Sequence, residues 1–310
     1  MMMAPTPSPL NNPATPPAFP DGRRTAEKER EMSEAKVGAA DRAYFNGAIQ
    51  KVETASSVLV SSSRYLNNAD LRQLIAQEML RRNGADLPNT AYIPEVAQIL
   101  HDLEDMPTII GLFEAEKARL PLFKQWLDRR SLADFTIAET KACAPGTLGA
   151  AIHDFMVTSG YQLDLFFQEV KVVNDFTFYL RQTALTHDIE HIVTGFGPNH
   201  GGEVALLNAN MVAKSRYFCP ELSAFFSRIA FYLKAKTIMK DGLHYPEAMV
   251  LNLEAEFQGA LQARNWKYPL MLVNWRDYVD VQISDIREEL GITPVLPEGT
   301  WADTNKLVHD

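Results

Sequence analysis

The sequence predicts an all-α protein, a multi-helix bundle with a metal site at a helical hairpin. Three observations carry this expectation. Apolar residues recur at helical spacing in segment after segment, strict period-two alternation is scarce, and residues that cap or stop helices bracket the runs. The composition agrees: 46% hydrophobic and 22% charged over 310 residues suits a soluble globular chain with a sizeable core.

Taken in order, the first twenty residues hold seven prolines. Such a stretch cannot form a helix or bury a core, so residues 1–22 are expected to be a disordered tail and residues 23–310 a helical domain. A charged stretch at 23–36 opens a solvated helix. Asn68 can cap a helix over 69–82, where Leu71, Leu74, Ile75 and Leu80 recur near helical spacing before the Asn83-Gly84 stop. Further helices are expected at 107–119, 147–158, 175–192, 220–240 and 246–264, with a short one at 282–290. Pro220 and Pro246 stand where proline is tolerated, at a helix start. There is no internal repeat.

The chemistry is concentrated in one segment. Placed on a helix, His187, Asp188 and His191 lie at roughly 0°, 100° and 40° around the axis, so all three project from one side. Two imidazoles at i and i+4 can reach one ion. The chain then breaks at Gly195, Gly197, Pro198, Gly201 and Gly202. Glu203 opens the next apolar run, and an antiparallel return would bring it to face the two histidines. The result is an N₂O₂ set of His187, Asp188, His191 and Glu203, suited to a divalent metal, zinc first and iron or manganese next. With seven histidines in 310 residues, such spacing of two histidines and two acids is uncommon by chance. Glu190 on the same helix reads as solvent-exposed.

The other histidines read more plainly. His153-Asp154 has no i+4 partner and reads as a helix-surface pair; His200 reads as solvated in the glycine loop and His244 as loop. Phe225, Phe226, Ile229, Phe231, Tyr232 and Leu233 cover a helix too broadly for one stripe and read as a buried core helix, as does the run at 163–167. Cys143 and Cys219 match no metal spacing and read as free thiols of a reducing compartment. A net charge of −9 disfavours nucleic acid as a partner. No apolar run is long enough to span a bilayer, and the N-terminus lacks the pattern of a secretory signal. The expected location is intracellular, cytoplasmic or peripheral to a membrane.

The string His187-Asp188-x-x-His191, eleven residues, then Glu203 resembles the signature of the ubiquinone-biosynthesis protein four family. Thr194-Gly195 and Gly202-Glu203-Val204-Ala205-Leu206 resemble that family's loop and following helix. Gly259-Ala260, Trp266 and the run from Asp285 to Ile292 resemble its closing segment, so the similarity extends over 140–294. The family commonly carries an Arg-Tyr-Arg-Glu-like stretch before the metal motif; here the stretch from Tyr179 to Thr186 holds only Arg181, offset by a residue. The resemblance implies a metal-dependent role in ubiquinone assembly: oxidative decarboxylation at ring carbon C1 of a polyprenylated hydroxybenzoate, with Arg181 as a substrate-anion contact. It also implies other quinone-biosynthesis proteins as partners. Two other readings stand beside it, a non-catalytic lipid-binding scaffold and a metal-dependent phosphohydrolase. The oligomeric state stays open, a homo-oligomer included.

Overall fold

The computed structural model describes residues 60–84, 87, 92–160, 163 and 170–308. The proline-rich tail, the charged stretch at 23–36 and most of 163–167 lie outside the described residues. Among the described residues the fold is all-α, with no strand and only two isolated bridges, Gly84 with Leu87 and Thr147 with Gln282.

Among the described residues twelve α-helices follow one another. They are α1 (Ala69–Leu80), α2 (Ile93–Asp102), α3 (Met106–Arg119), α4 (Pro121–Arg129), α5 (Ile137–Thr140), α6 (Leu148–Ser159), α7 (Asp175–Thr194), α8 (His200–Tyr217), α9 (Pro220–His244), α10 (Pro246–Ala263), α11 (Ile283–Leu290) and α12 (Thr304–Val308). Two 3₁₀ turns, Leu270–Leu272 and Trp275–Tyr278, separate α10 from α11.

Local chemistry explains most starts. The side chains of Asn68, Asp105, Thr147 and Asn174 each accept a first-turn backbone N–H of α1, α3, α6 and α7. These bonds satisfy donors that have no partner inside the helix. The helix expected from 69 stops at Leu80 rather than 82, because Arg81 is already extended. α2 and α4 were not foreseen. Neither has a side-chain cap, and only a proline in the first turn marks each.

The helix after the glycine loop was expected to open at Glu203 but opens three residues earlier, at His200. Gly201 and Gly202 lie inside its first turn. They are required by close approach: a Cβ on Gly202 would sit 1.8 Å from the Gly197 carbonyl oxygen, and one on Gly201 would sit 2.5 Å from Trp301 Cβ.

Two large hydrophobic clusters share α7. Its first half, through Phe178 and Tyr179, joins an aromatic core with Phe113, Phe123, Trp126, Phe225 and Phe226. Its second half, through Leu185, Ile189 and Val193, joins a mixed core of aliphatic residues with Phe196, Trp266 and Trp275 around α6, α8 and α10. There α8 and α10 approach very closely. Ala205, Ala209 and Ala213 recur every fourth residue and meet Ala255, Gly259 and Ala263. A Cβ on Gly259 would stand 2.1 Å from the Ala205 carbonyl oxygen.

α9 was expected to be buried all round. Phe225 and Phe226 are buried, but Phe231 is 47% exposed. Its outer surface and that of α10 carry further apolar residues: Met239, Leu243, Val250, Leu253 and Phe257 are exposed. Both cysteines are free. No described helix is long and apolar enough to cross a membrane.

Candidate metal centre

The end of α7 and the start of α8 place the candidate ligands. Gly195, in the left-handed conformation at φ 76°, closes α7 with its N–H on the His191 carbonyl. L side chains rarely adopt this conformation, so glycine is the natural residue there. The last carbonyls of α7 are also occupied. Arg287 of α11 donates to Val193 O at 2.7 Å and Ile192 O at 3.1 Å, and Gln262 of α10 donates to Thr194 O at 3.0 Å.

The start of α8 is equally complete. The N–H of His200 donates to Asn305 Oδ1 at 2.8 Å, that of Gly201 to Thr304 Oγ1 at 2.9 Å and that of Gly202 to Asn199 Oδ1 at 2.9 Å. The N–H of the cap residue Asn199 donates to Gly197 O at 2.8 Å. All four orphan donors of a helix N-terminus are thereby satisfied.

Between these fixed ends, His187, His191 and Glu203 converge. One potential ligand atom from each lies within 4.8 Å of the others. His187 Nε2 is 3.3 Å from Glu203 Oε2, and His191 Nε2 is 3.1 Å from Glu203 Oε1. Bonds of about 2.0–2.1 Å in a tetrahedral site put ligand atoms roughly 3.3 Å apart, so the two His–Glu separations suit a divalent ion, with small side-chain movements closing the group around it.

Each imidazole is oriented through its other nitrogen. His191 Nδ1 donates to the Phe196 carbonyl at 2.8 Å, and His187 Nδ1 is 3.2 Å from Asp188 Oδ1. Such bonds hold the proton on Nδ1 and leave Nε2 as the free ligand atom. Asp188 therefore stands against His187 and outside the group of three. Arg181 lies on the same side of α7 as Asp188, seven residues ahead and about 10 Å along the axis.

The charges agree with a cation site. Burial opposes protonation of His187, but Glu203 and Asp188 overcome it and hold the imidazole well above its ordinary range. Burial likewise opposes ionisation of Glu203, and the two histidines hold its carboxyl well below the ordinary range. His187 and Glu203 nonetheless keep 48% and 49% of their side-chain surface exposed.

Two histidines and one acid are placed differently from the expectation, and His153 is placed much as expected. Glu190 is buried rather than solvated: Asn210 of α8 donates to its Oε2 at 2.6 Å and Thr186 to its Oε1 at 3.4 Å. Burial raises its pKa. His200 is buried rather than solvated, with Nε2 on Asp241 Oδ2 at 2.7 Å. His244 ends α9 rather than standing in a loop, and its Nε2 donates to Met79 O at 2.8 Å. His153 is half-buried and meets Thr140 Oγ1 at 3.3 Å, lining a shallow cleft with Asp154, Cys143 and Thr147. It does not enter the group of three.

Residues 126–296, more than half of the chain, match the family described as coenzyme Q (ubiquinone) biosynthesis protein Coq4. The chain belongs to the Coq4 family. A solved structure from Nostoc punctiforme PCC 73102, provisionally assigned to ubiquinone biosynthesis, is similar at 23% identity and a TM-score of 0.56, covering 72% of this chain and 97% of that one. At that identity the likeness speaks for the fold. No curated protein matches the chain. The Coq4 match contains the candidate ligands together with Arg287 and Gln262. It ends before Thr304 and Asn305, and α1, α2 and α3 precede it.

Sequence reasoning missed Asn199, Gln262 and Arg287, which hold the two helix ends that carry this group. Only Asn199 had a local signal, since asparagine is a favoured N-cap.

Proposed function

We propose that this Coq4-family protein acts in ubiquinone biosynthesis as a metal-dependent oxidative decarboxylase of a polyprenylated hydroxybenzoate. The observation that supports a metal is the donor set itself: two Nε2 atoms and a carboxylate at ligand spacing, with both Nδ1 atoms anchored. His187, His191 and Glu203 would hold the ion, with Asp188 as a fourth ligand if its carboxylate leaves His187. Zinc suits this set best, and iron or manganese are the alternatives. When bound, the ion supplies Lewis-acid stabilisation of the charge that builds on the ring as CO₂ leaves.

The chain's own residues do the rest. Anchoring by Phe196 O and Asp188 orients both rings so that each Nε2 would face the ion. Arg181, on the same side of α7, is placed to meet an anionic group of the substrate. Glu190, one residue before His191, ties α7 to α8 through Asn210. Replacing the carboxylate by hydroxyl is a two-electron oxidation of the ring and needs an oxidant such as O₂. Other quinone-biosynthesis proteins would be the partners.

Turnover tests this reading. Zinc-, iron- or manganese-loaded protein given a prenylated hydroxybenzoate and O₂ is expected to release CO₂ and yield the hydroxylated ring. Binding of that substrate without CO₂ from any loaded form would sink it. The second reading, a scaffold presenting polyprenyl intermediates to partners, is favoured by the exposed Phe231, Met239, Leu243, Val250, Leu253 and Phe257. It expects substitutions on that surface to abolish pathway function in cells while leaving metal content intact.

A further inference from the structure

Glu203 differs from the other candidate ligands in how it is held. His187 and His191 sit in the last two turns of a long helix. Glu203 sits one turn into a helix whose second and third residues are both glycine. Glycine costs a helix roughly 1 kcal/mol per residue relative to alanine, so this turn is weak by itself. Its carboxylate nevertheless has to stand within a few tenths of an ångström of a fixed place to share an ion with two rigid imidazoles.

What holds the turn comes from elsewhere in the chain. His200, three residues before Glu203, is buried at 5% side-chain exposure against Asp241 of α9 at 3%. Asn252 of α10, also buried, donates to the same Asp241 oxygen. One side chain of α8 is thus tied to both helices behind it. Lys236 and Lys240, buried on α9, lie 3.7 and 3.6 Å from Glu78 of α1, with Asp241 as a lesser charge partner. On the other side, Thr304 and Asn305 accept the N–H groups of Gly201 and His200. Trp301 packs on the bare backbone of Gly201.

We propose that His200, Asp241 and Asn252, with Thr304 and Asn305, are positioning residues for the Glu203 carboxylate. They fix the roll and axial position of the first turn of α8 and thereby set the affinity of the centre for its ion. The proposal rests on the metal reading above. None of the five touches the ion; each acts through Glu203.

The test uses the full chain, stripped and titrated with Zn²⁺ against a chromophoric chelator, well below each variant's midpoint. His200→Ala and the double variant Thr304→Ala/Asn305→Ala are expected to weaken Zn²⁺ binding by about tenfold or more, the usual effect of removing a group that supports a ligand. His200→Gln, which can still donate to Asp241, is expected to recover most of the loss. Leu127→Ala, in the aromatic cluster, lowers the midpoint at a distance and is expected to leave affinity within about twofold, since separated sites add independently.

In a Glu203→Gln background His200→Ala is expected to change affinity little, because the route through Glu203 is already gone. Hydrogen exchange at Gly202 and Glu203 is expected to speed up in the double variant. Wild-type affinity in both the His200→Ala and double variants would overturn the proposal, as would an equal loss in Leu127→Ala. Wild-type protein that takes up no Zn²⁺, Fe²⁺ or Mn²⁺ would overturn the metal reading as well. Those two failures are told apart by the wild-type titration alone.

Discussion

The two halves of α7 sit in unlike surroundings. Around Phe178 and Tyr179 the helix is packed by rings: Tyr179 lies 4.6 Å from Phe226 and Phe178 lies 4.8 Å from Trp126, centroid to centroid. Tilted and edge-on pairs abound, and the neighbours are large. At His187 and His191 the helix end is held by hydrogen bonds from Arg287 and Gln262, and the α8–α10 seam beside it packs through backbone and small residues. Bulky apolar packing supplies cohesion and adapts by small ring movements. Backbone-to-backbone packing supplies position and has no slack. A site that needs ligand atoms in fixed places is built in the second kind of environment.

The comparison can be broken or sharpened by substitution. The largest expected effect is at the centre: His191→Ala is expected to abolish stoichiometric metal content in elemental analysis, and wild-type content would refute its role as a ligand. Next comes Gly259→Val in the small-residue half. Its Cβ would meet the Ala205 carbonyl, so a loss of about 4 kcal/mol or failure to fold is expected in denaturant unfolding.

In the aromatic half, Phe113→Leu is expected to lose only about 1–2 kcal/mol, because neighbouring rings can close on the smaller side chain. If the two substitutions cost the same, the contrast between the halves is false.

The smallest effect is in pH. His187 is held above its ordinary value of 6.5, so in metal-free protein its contribution is full below about pH 6.5 and fades as pH rises through the elevated pKa. Glu203, held below 4.5, contributes above about pH 4.5 and fades as pH falls through its depressed pKa. Zinc must displace the His187 proton. The zinc-induced rise in thermal midpoint is therefore expected to be greater at about pH 8.5 than at about pH 6.5. A smaller rise at the higher pH would contradict the assignment.

Much of the fold was legible because its signals are local. Asn68, Thr147 and Asn174 cap their helices as their residue types promise, and Pro220 and Pro246 open α9 and α10. The grouping of His187, His191 and Glu203 followed from helical spacing and a short loop. What stayed hidden depends on distant partners. Nothing near Glu190 announces that Asn210 will bury it, and nothing near His200 announces Asp241, forty-one residues on. The glycines at 201 and 202 misled for a physical reason. They normally stop helices, but in a first turn the missing side chains make room for Gly197 and Trp301.

The distance along the chain between the ligands and their supports has a consequence in time. The N–H of His200 bonds to Asn305, 105 residues later. At about 5–20 residues per second of synthesis, the hairpin leaves the ribosome many seconds before Arg287, Thr304 and Asn305 exist. Until then the end of α7 and the weak first turn of α8 lack the groups that fix them. On the metal reading, a nascent chain would meet the cell's ions with its ligands present but unarranged, and selectivity among metals would begin only when residues 301–305 fold back.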